Sequence, residues 1–147
     1  MRSITLIPAT ESDLDRIDLC RGYIDDLVKS DLYDLASATR KAKKEIDDIL
    51  KRPTASFMLC FEEEEEEVGH ILMNITPTDL FIFNMEVYEE FRGQGYGKSI
   101  LLAVEQLAIE KDLNRMTLSV SPLNKRALKL YKNSGFSELF VHMEKRL

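Results

Sequence analysis

The sequence predicts an α/β (α+β) fold in which helices pack on a mixed β-sheet. Three observations carry this. Apolar stretches of strand length recur along the chain, and two of them flank an acidic run. The nearly continuous apolar segment "LFIFNMEV" (residues 80–87) reads as a central strand, and a glycine-rich loop leads from it into a long amphipathic stretch. No repeat and no linker interrupts the 147 residues, so residues 1–147 are expected to form a single domain. That length is enough to bury an ordinary core.

Taken in order, "SITLIPAT" is a short strand ending at Pro8. Thr10 or Ser12 N-caps a helix with acids in its first turn. Leu14, Ile17, Ile24, Leu27 and Val28 then recur near helical spacing, which predicts one helix across this region. A second helix runs from about Leu35 to Leu50 and stops before Pro53. "SFMLCF" and "VGHILMNI" are the two strands of a hairpin. Between them Glu62–Glu67 form a tip that like-charge repulsion keeps open and solvated. After the strand at 80–87 and the glycine loop, "SILLAVEQLAIEKDL" places Ile100, Val104, Leu107 and Leu113 close to one helix face. "RMTLSVS" is another strand. Asn124 opens a helix through Tyr131 that Gly135 ends. "FSELFVHMEKRL" closes the chain as one or two short strands.

Composition narrows the function classes. With 44% apolar and 31% charged residues the chain reads as globular and soluble. The longest mostly apolar stretch is too short and too charged to span a bilayer, and the N-terminus lacks a signal-peptide pattern. A cytoplasmic protein is expected. The net charge is −6, which the six acids of the glutamate run account for. A balanced remainder argues against nucleic acid as a partner, because phosphate-backbone binding relies on clustered Lys and Arg. Cys20 and Cys60 form no C-x-x-C pair and read as buried reduced thiols. His70 and His142 have no nearby ligand partners in sequence, so no metal site is expected.

The loop "FRGQGYGKS" (residues 91–99) carries the chemistry. Glycines at a helix entry let a ligand approach backbone N–H groups, and the helix dipole favours an anion there. The amides of Gln94 to Ser99 are expected to point outward, with Lys98 or Arg92 adding a side-chain cation. Two phosphate motifs nearly fit. Walker A needs one residue more between Gly93 and Gly97-Lys98-Ser99, and the dinucleotide fingerprint needs its third glycine one position later than Gly97.

A third pattern fits. Arg92-Gly93-Gln94-Gly95-Tyr96-Gly97 resembles the [QR]-x-x-G-x-[GA] signature of the GNAT superfamily of acetyl-CoA-dependent N-acetyltransferases. "SPLNKRALKLYKNSGF" (residues 121–136) resembles that family's second motif. "ITLIPATESDL" and "EEVGHILM" resemble its opening and its third strand. The resemblance covers essentially the whole chain in order. It implies a mixed central sheet flanked by helices on both faces, splayed open between the strands at 81–87 and 116–121, with acetyl-CoA in the gap. The pyrophosphate would lie on the amides of Gln94, Gly95, Tyr96, Gly97, Lys98 and Ser99, beside Arg92 and Gly93. The pantetheine arm would pair with the backbone of Met85, Glu86 and Val87, where an N–H would polarise the acetyl carbonyl. Asn124, Ala127 and Tyr131 share one helix face by their spacing. In the family that face meets the coenzyme, and the tyrosine protonates the departing thiolate.

The resemblance implies direct attack of a primary amine without an acetyl-enzyme, and a monomer or homodimer. Phe81 and Phe83 stand where some relatives carry a base, so Asn84 and Glu86 are the polar residues left on that strand. Glu86 is the candidate base, and an ordered water chain is an alternative. A CoA-binding regulatory domain without turnover is the alternative function. After Gly135-Phe136 only residues 137–147 remain, room for one good strand or two very short ones where many relatives place a longer two-stranded excursion that walls the acceptor site; without it that side is open, or closed by a partner subunit or by the helices of residues 13–50. We therefore expect a wide acceptor site, contacted mostly by the first two helices, that turns over peptide amines or polyamines better than single amino acids. A panel of acceptors assayed by thiol release tests this; efficient use of one small amino acid with peptides and polyamines inert would contradict it.

Overall fold

A computed structural model describes residues 2–147. The described residues form two compact units, one from residues 2–17 and 50–119 and the other from 18–49 and 120–147. The first unit holds a five-stranded sheet in sequence order: β1 (Ile4–Pro8), β2 (Ala55–Glu62), β3 (Glu66–Ile75), β4 (Leu80–Val87) and β5 (Met116–Leu118). The first three pairings are antiparallel and β4–β5 is parallel, as a helical crossover between those strands requires. That crossover is α4 (Tyr96–Glu110), which packs on β1 and β4 and buries Ile100, Leu101, Val104 and Ala108. With Ile71, Leu72, Met73 and Leu80 fully buried, the core of this unit centres on β3 and β4.

Two irregularities in β4 position the site. The parallel ladder to β5 covers only Leu80, Phe81 and Ile82. On the other side the register jumps from Met73↔Ile82 to Leu72↔Asn84, so Phe83 is an extra, bulged residue. A bulge bends its strand and shifts the alternation of faces. Unbulged, Glu86 would share a face with Ile82; with the bulge it is the direct cross-strand partner of His70. From residue 83 to 87, no strand pairs with β4 on its β5 side among the described residues. This is the opening the resemblance implied.

The expected single N-terminal helix is two. α1 (Glu11–Arg16) starts at Thr10, whose N–H donates to the Asp13 carboxylate at 2.8 Å. It stops at Ile17, which is extended, and α2 (Arg21–Lys29) follows. Asp18 turns the chain by accepting the Cys20 N–H at 2.9 Å, a local bond that competes with helix continuation. Position 21 is Arg, so the apolar spacing also lapses there.

In the second unit α3 (Leu35–Leu50) has the expected bounds, and its stripe of Ala38, Ala42, Ile46 and Ile49 is buried. α5 (Lys125–Asn133) is capped by Asn124, whose side chain accepts the Ala127 N–H. Gly135, at φ 95°, ends it, with the Phe136 N–H returning to the Tyr131 carbonyl. The expected strand at 115–121 shortens to three residues, and 137–147 form no strand. Their apolar residues, Leu139, Phe140, Val141 and Met143, are all at least 70% exposed. The segment is tied at its ends by Lys132–Glu138 and by a Tyr33–Glu144 hydrogen bond. Strand propensity without a sheet edge to pair with does not make a strand.

The glutamate run also departs from a purely solvated tip. Only residues 63–65 form the turn; Glu62 and Glu67 lie in the strands and are paired. Glu63 and Glu64 take φ of 52° and 64°, and the Glu65 N–H donates to the Glu62 carbonyl. Positive φ at both central positions is the geometry that favours Asn-Gly. Glu63→Asn with Glu64→Gly is expected to stabilise the protein by about 1–2 kcal/mol. A thermal melt should show it as a rise of a few degrees, and an unchanged or lower midpoint would contradict the turn geometry.

Candidate active site

The loop between β4 and α4 brings two glycines of positive φ to the start of a helix. A 3-10 turn, Glu89–Phe91, leads into Gly93 at φ 75° and Gly95 at φ 86°, backbone that other residues adopt at a cost. Gly95 is the N-cap of α4. A Cβ added at Gly93 or Gly95 would meet nothing within 4 Å, so the space over the loop is open. The first intrahelical bond runs from the Ser99 N–H to the Gly95 carbonyl. The amides of Tyr96, Gly97 and Lys98 are thus those a helix start leaves unbonded. The expected cradle of Gln94 to Ser99 shortens at its far end, since both the amide and the hydroxyl of buried Ser99 turn back to Gly95.

Tyr96 contributes backbone only. Its ring is 4% exposed, stacked edge-on against Phe91, and its hydroxyl donates to Glu62 and accepts from Arg2. Arg2 was not legible as a site residue. Its guanidinium lies over the Tyr96 ring at 4.1 Å, pairs with Glu62 at 3.0 Å and donates to the Gln94 carbonyl at 3.1 Å. Arg2, Gln94, Gly95, Lys98 and Ser99 line one open cleft. The guanidinium of Arg2 and the ammonium of Lys98 are the cations at this cleft. Arg92 is not: its Nε donates to the Val87 carbonyl at 2.9 Å and its other end reaches Glu86 at 3.4 Å. Arg2 also holds the Glu62 carboxyl below its usual range, with help from Tyr96.

On β4 the bulge turns Asn84 and Glu86 toward the side of the sheet that carries Leu72 and His70. His70, read from sequence only for the lack of metal-ligand partners near it, has charged and polar neighbours in space. It is 1% exposed, and its Nε2 lies 3.6 Å from Glu86 Oε2. Its Nδ1 is 3.4 Å from the Tyr88 hydroxyl, which donates to Glu67 at 2.5 Å. Glu67 takes a bidentate contact from Arg16 at 2.6 and 2.9 Å, and Arg16 also holds Asp13. Burial pulls the His70 pKa down, against the opposing pull of Glu86, Asn84 and Glu67, so the ring is neutral near pH 7. A histidine alone on an apolar strand gives no sign of this in sequence; the bulge that creates the pairing has no sequence signal either.

Cys60 is no nucleophile. Burial, then Glu67, push its thiol up to about 12. Cys20 is half-buried, where a buried residue was expected, and burial raises its pKa too. In the second unit Asn124 and Ala127 lie at the start of α5 and Tyr131 near its end. The Tyr131 ring meets Phe136 edge-on, and burial, then the Asp26 carboxylate, raises its pKa. It is a phenol that keeps its proton. Asn124 spends its side-chain oxygen on capping.

Comparison with known proteins agrees with this construction. The sequence model of the acetyltransferase (GNAT) family matches residues 22–136. An uncharacterized N-acetyltransferase, YycN, of Bacillus subtilis is 30% identical over 133 residues, 85% of each chain. A crystal structure of the YycN protein superposes with a TM-score of 0.86 at 28% identity, covering 99% of both chains. The bovine (Bos taurus) thialysine N-epsilon-acetyltransferase is 36% identical over 61 residues, 42% of this chain and 36% of its own. The aminoglycoside N-acetyltransferase AAC(6')-Iy, solved with CoA, shares the fold at a TM-score of 0.59 and 16% identity, covering 100% of this chain and 96% of its own. A family match over most of the sequence, joined to a glycine cradle at the start of α4 and a β4 that parts from β5, makes this chain an acyltransferase of the acetyltransferase (GNAT) family.

Proposed function

We propose that residues 1–147 form one N-acetyltransferase domain that moves the acetyl group of acetyl-CoA directly to a primary amine. The observation that carries this reading is the cleft at the start of α4, where amides of Tyr96, Gly97 and Lys98 adjoin Lys98 and Arg2 beneath open space. A pyrophosphate matches that arrangement in charge and in its need for close backbone approach. The side of β4 from 83 to 87 that lies beyond the β5 ladder suits a pantetheine arm that pairs like a strand. CoA in the fold neighbour AAC(6')-Iy and the N-epsilon chemistry in the bovine relative's name support the donor and the acceptor class.

Within this reading Met85, Glu86 and Val87 supply backbone to the donor, and Asn124, Ala127 and Tyr131 supply a helix face. Glu86 takes a proton from the amine. Tyr131 donates to the departing thiolate, a role suited to a phenol whose pKa is raised by burial. No cysteine serves as an acyl carrier, because a thiol as buried as Cys60 stays protonated. The active enzyme is expected in the cytoplasm, as a monomer or homodimer.

Incubation with acetyl-CoA and a panel of amines, read as free thiol, tests the reaction. Thiol release that depends on the amine supports it; CoA binding without release from any amine would make the chain a binding domain instead. Gly97→Val is expected to remove CoA binding in calorimetric titration while the fold persists, since Gly97 lies inside the helix and needs no special φ. Full affinity in the folded variant would overturn the cradle. Tyr131→Phe is expected to lower kcat by ~10²–10⁴ with little change in acetyl-CoA affinity. A loss confined to KM would mark Tyr131 as a contact and not a proton donor.

A further inference from the structure

We infer that Arg2 selects the donor by offering the open edge of its guanidinium to a phosphate of the coenzyme, and that Glu62 is the positioning residue that holds it there. This rests on the reading of the cleft at the start of α4 as the site of an acetyl-CoA phosphate. It adds a contact from outside the glycine loop, and it gives an acidic residue a part in binding an anion.

A guanidinium carries five N–H donors in a planar fork. Nε of Arg2 donates to the Gln94 carbonyl at 3.1 Å. Nη1 donates to Glu62 Oε2 and to the Tyr96 hydroxyl, both at 3.0 Å. Nη2 makes no hydrogen bond among the described residues, so its two donors are available. The side chain is 36% exposed and lines the cleft with Gln94, Gly95, Lys98 and Ser99. A fork held on one side by protein and open on the other suits phosphate oxygens, which it meets in a fixed plane. Lys98 adds a point charge, and the amides of Tyr96, Gly97 and Lys98 add neutral donors.

The anchor is rigid. The Tyr96 hydroxyl donates to Glu62 Oε1 at 2.9 Å, which closes a ring of hydrogen bonds through Arg2, Glu62 and Tyr96. Tyr96 is 4% exposed, and the guanidinium carbon lies 4.1 Å from the centre of its ring. The Nε bond also occupies the Gln94 carbonyl, an acceptor beside the cleft that would otherwise face the anion.

Glu62 therefore has two opposed effects on a bound phosphate. Its charge repels the anion, and its hold removes the cost of ordering a long side chain when the anion arrives. The repulsion is weak, because the carboxylate is neutralised by Arg2 at 3.0 Å and solvent screens what is left. An arginine that is not held loses the plane of its fork, so the ordering effect is the larger. Counting charges alone gives the opposite sign, and the two accounts separate cleanly.

Calorimetric titration with CoA and with dephospho-CoA, which lacks the ribose phosphate, tests this on the wild type and on Arg2→Gln, Arg2→Lys and Glu62→Ala. Arg2→Gln is expected to weaken CoA binding by roughly 10- to 100-fold, the loss of a hydrogen bond between charged groups. The gap from the wild type should narrow as ionic strength rises. Arg2→Lys restores the charge without the fork and should recover only part of the affinity. Glu62→Ala is expected to weaken binding by roughly 3- to 10-fold, although it removes a negative charge beside the cleft. Equal losses for both ligands in Arg2→Gln would assign the contact to the pyrophosphate, and a loss for CoA alone would assign it to the ribose phosphate. If Glu62→Ala does not fold, Glu62→Gln keeps the shape of the strand end and decides by the same criterion. Wild-type affinity in Arg2→Gln, or affinity equal to or tighter than wild type in the Glu62 variant, would overturn the inference. A loss in Arg2→Gln that ignores salt would make Arg2 a prop for the loop and overturn it as well. Absence of CoA binding by the wild type would instead overturn the reading of the cleft on which this rests.

Discussion

Glu67 accepts two hydrogen bonds from Arg16 and one from Tyr88, and much of the first unit is arranged around that carboxylate. It lies where β3 passes from a solvated turn into a buried strand. Burial alone would raise its pKa; the bonds from Arg16 and Tyr88 more than offset that and keep it ionised. An ionised group at that depth needs donors from elsewhere in the chain. Arg16 supplies them from the end of α1, which is held in turn by Asp13, itself kept ionised by the Thr10 N–H and then by Arg16. The position of α1 against the sheet and the orientation of Tyr88 follow from where this charge is neutralised.

A second fixed charge performs a parallel task at the cleft. Glu62 anchors Arg2, and Arg2 holds the Gln94 carbonyl and covers the Tyr96 ring. The glycines of the loop bring no side chains to pack, so its shape is held by Arg2, just before β1, and by Glu62 of β2. The acidic run is thus divided by function. Its middle is a turn, and its two ends each fix one part of the site.

Much of this molecule could be read from its residues. The apolar run at 80–87, the glycines before α4, the stripe on α3 and the Asn124 cap each express a local rule, and each lies where that rule puts it. What could not be read depends on partners distant in sequence. Arg2 lies ninety-two residues from Gln94. The bulge at Phe83 has no composition of its own, yet it moves Glu86 from the Ile82 face to the His70 face. The break after Arg16 arises from Asp18 bonding locally in a segment whose apolar spacing suggested continuity. The closing segment has the residues of a strand, and no strand pairs with it. Tyr131 was legible as a motif residue; the Asp26 charge that adds to its raised pKa was not.

Gly69 pairs with Val87 next to the His70–Glu86 pair, and a Cβ there would come within 2.1 Å of the Glu86 carbonyl oxygen. β3 and β4 therefore approach at this point as closely as two backbones without side chains permit. The backbone spacing between His70 and Glu86 is then set by this close approach, and their side chains start from it. A single methyl group added at residue 69 would force the strands apart beside Glu86. Adding a methyl group there brings no functional group, yet it would act on the pairing of two strands at once.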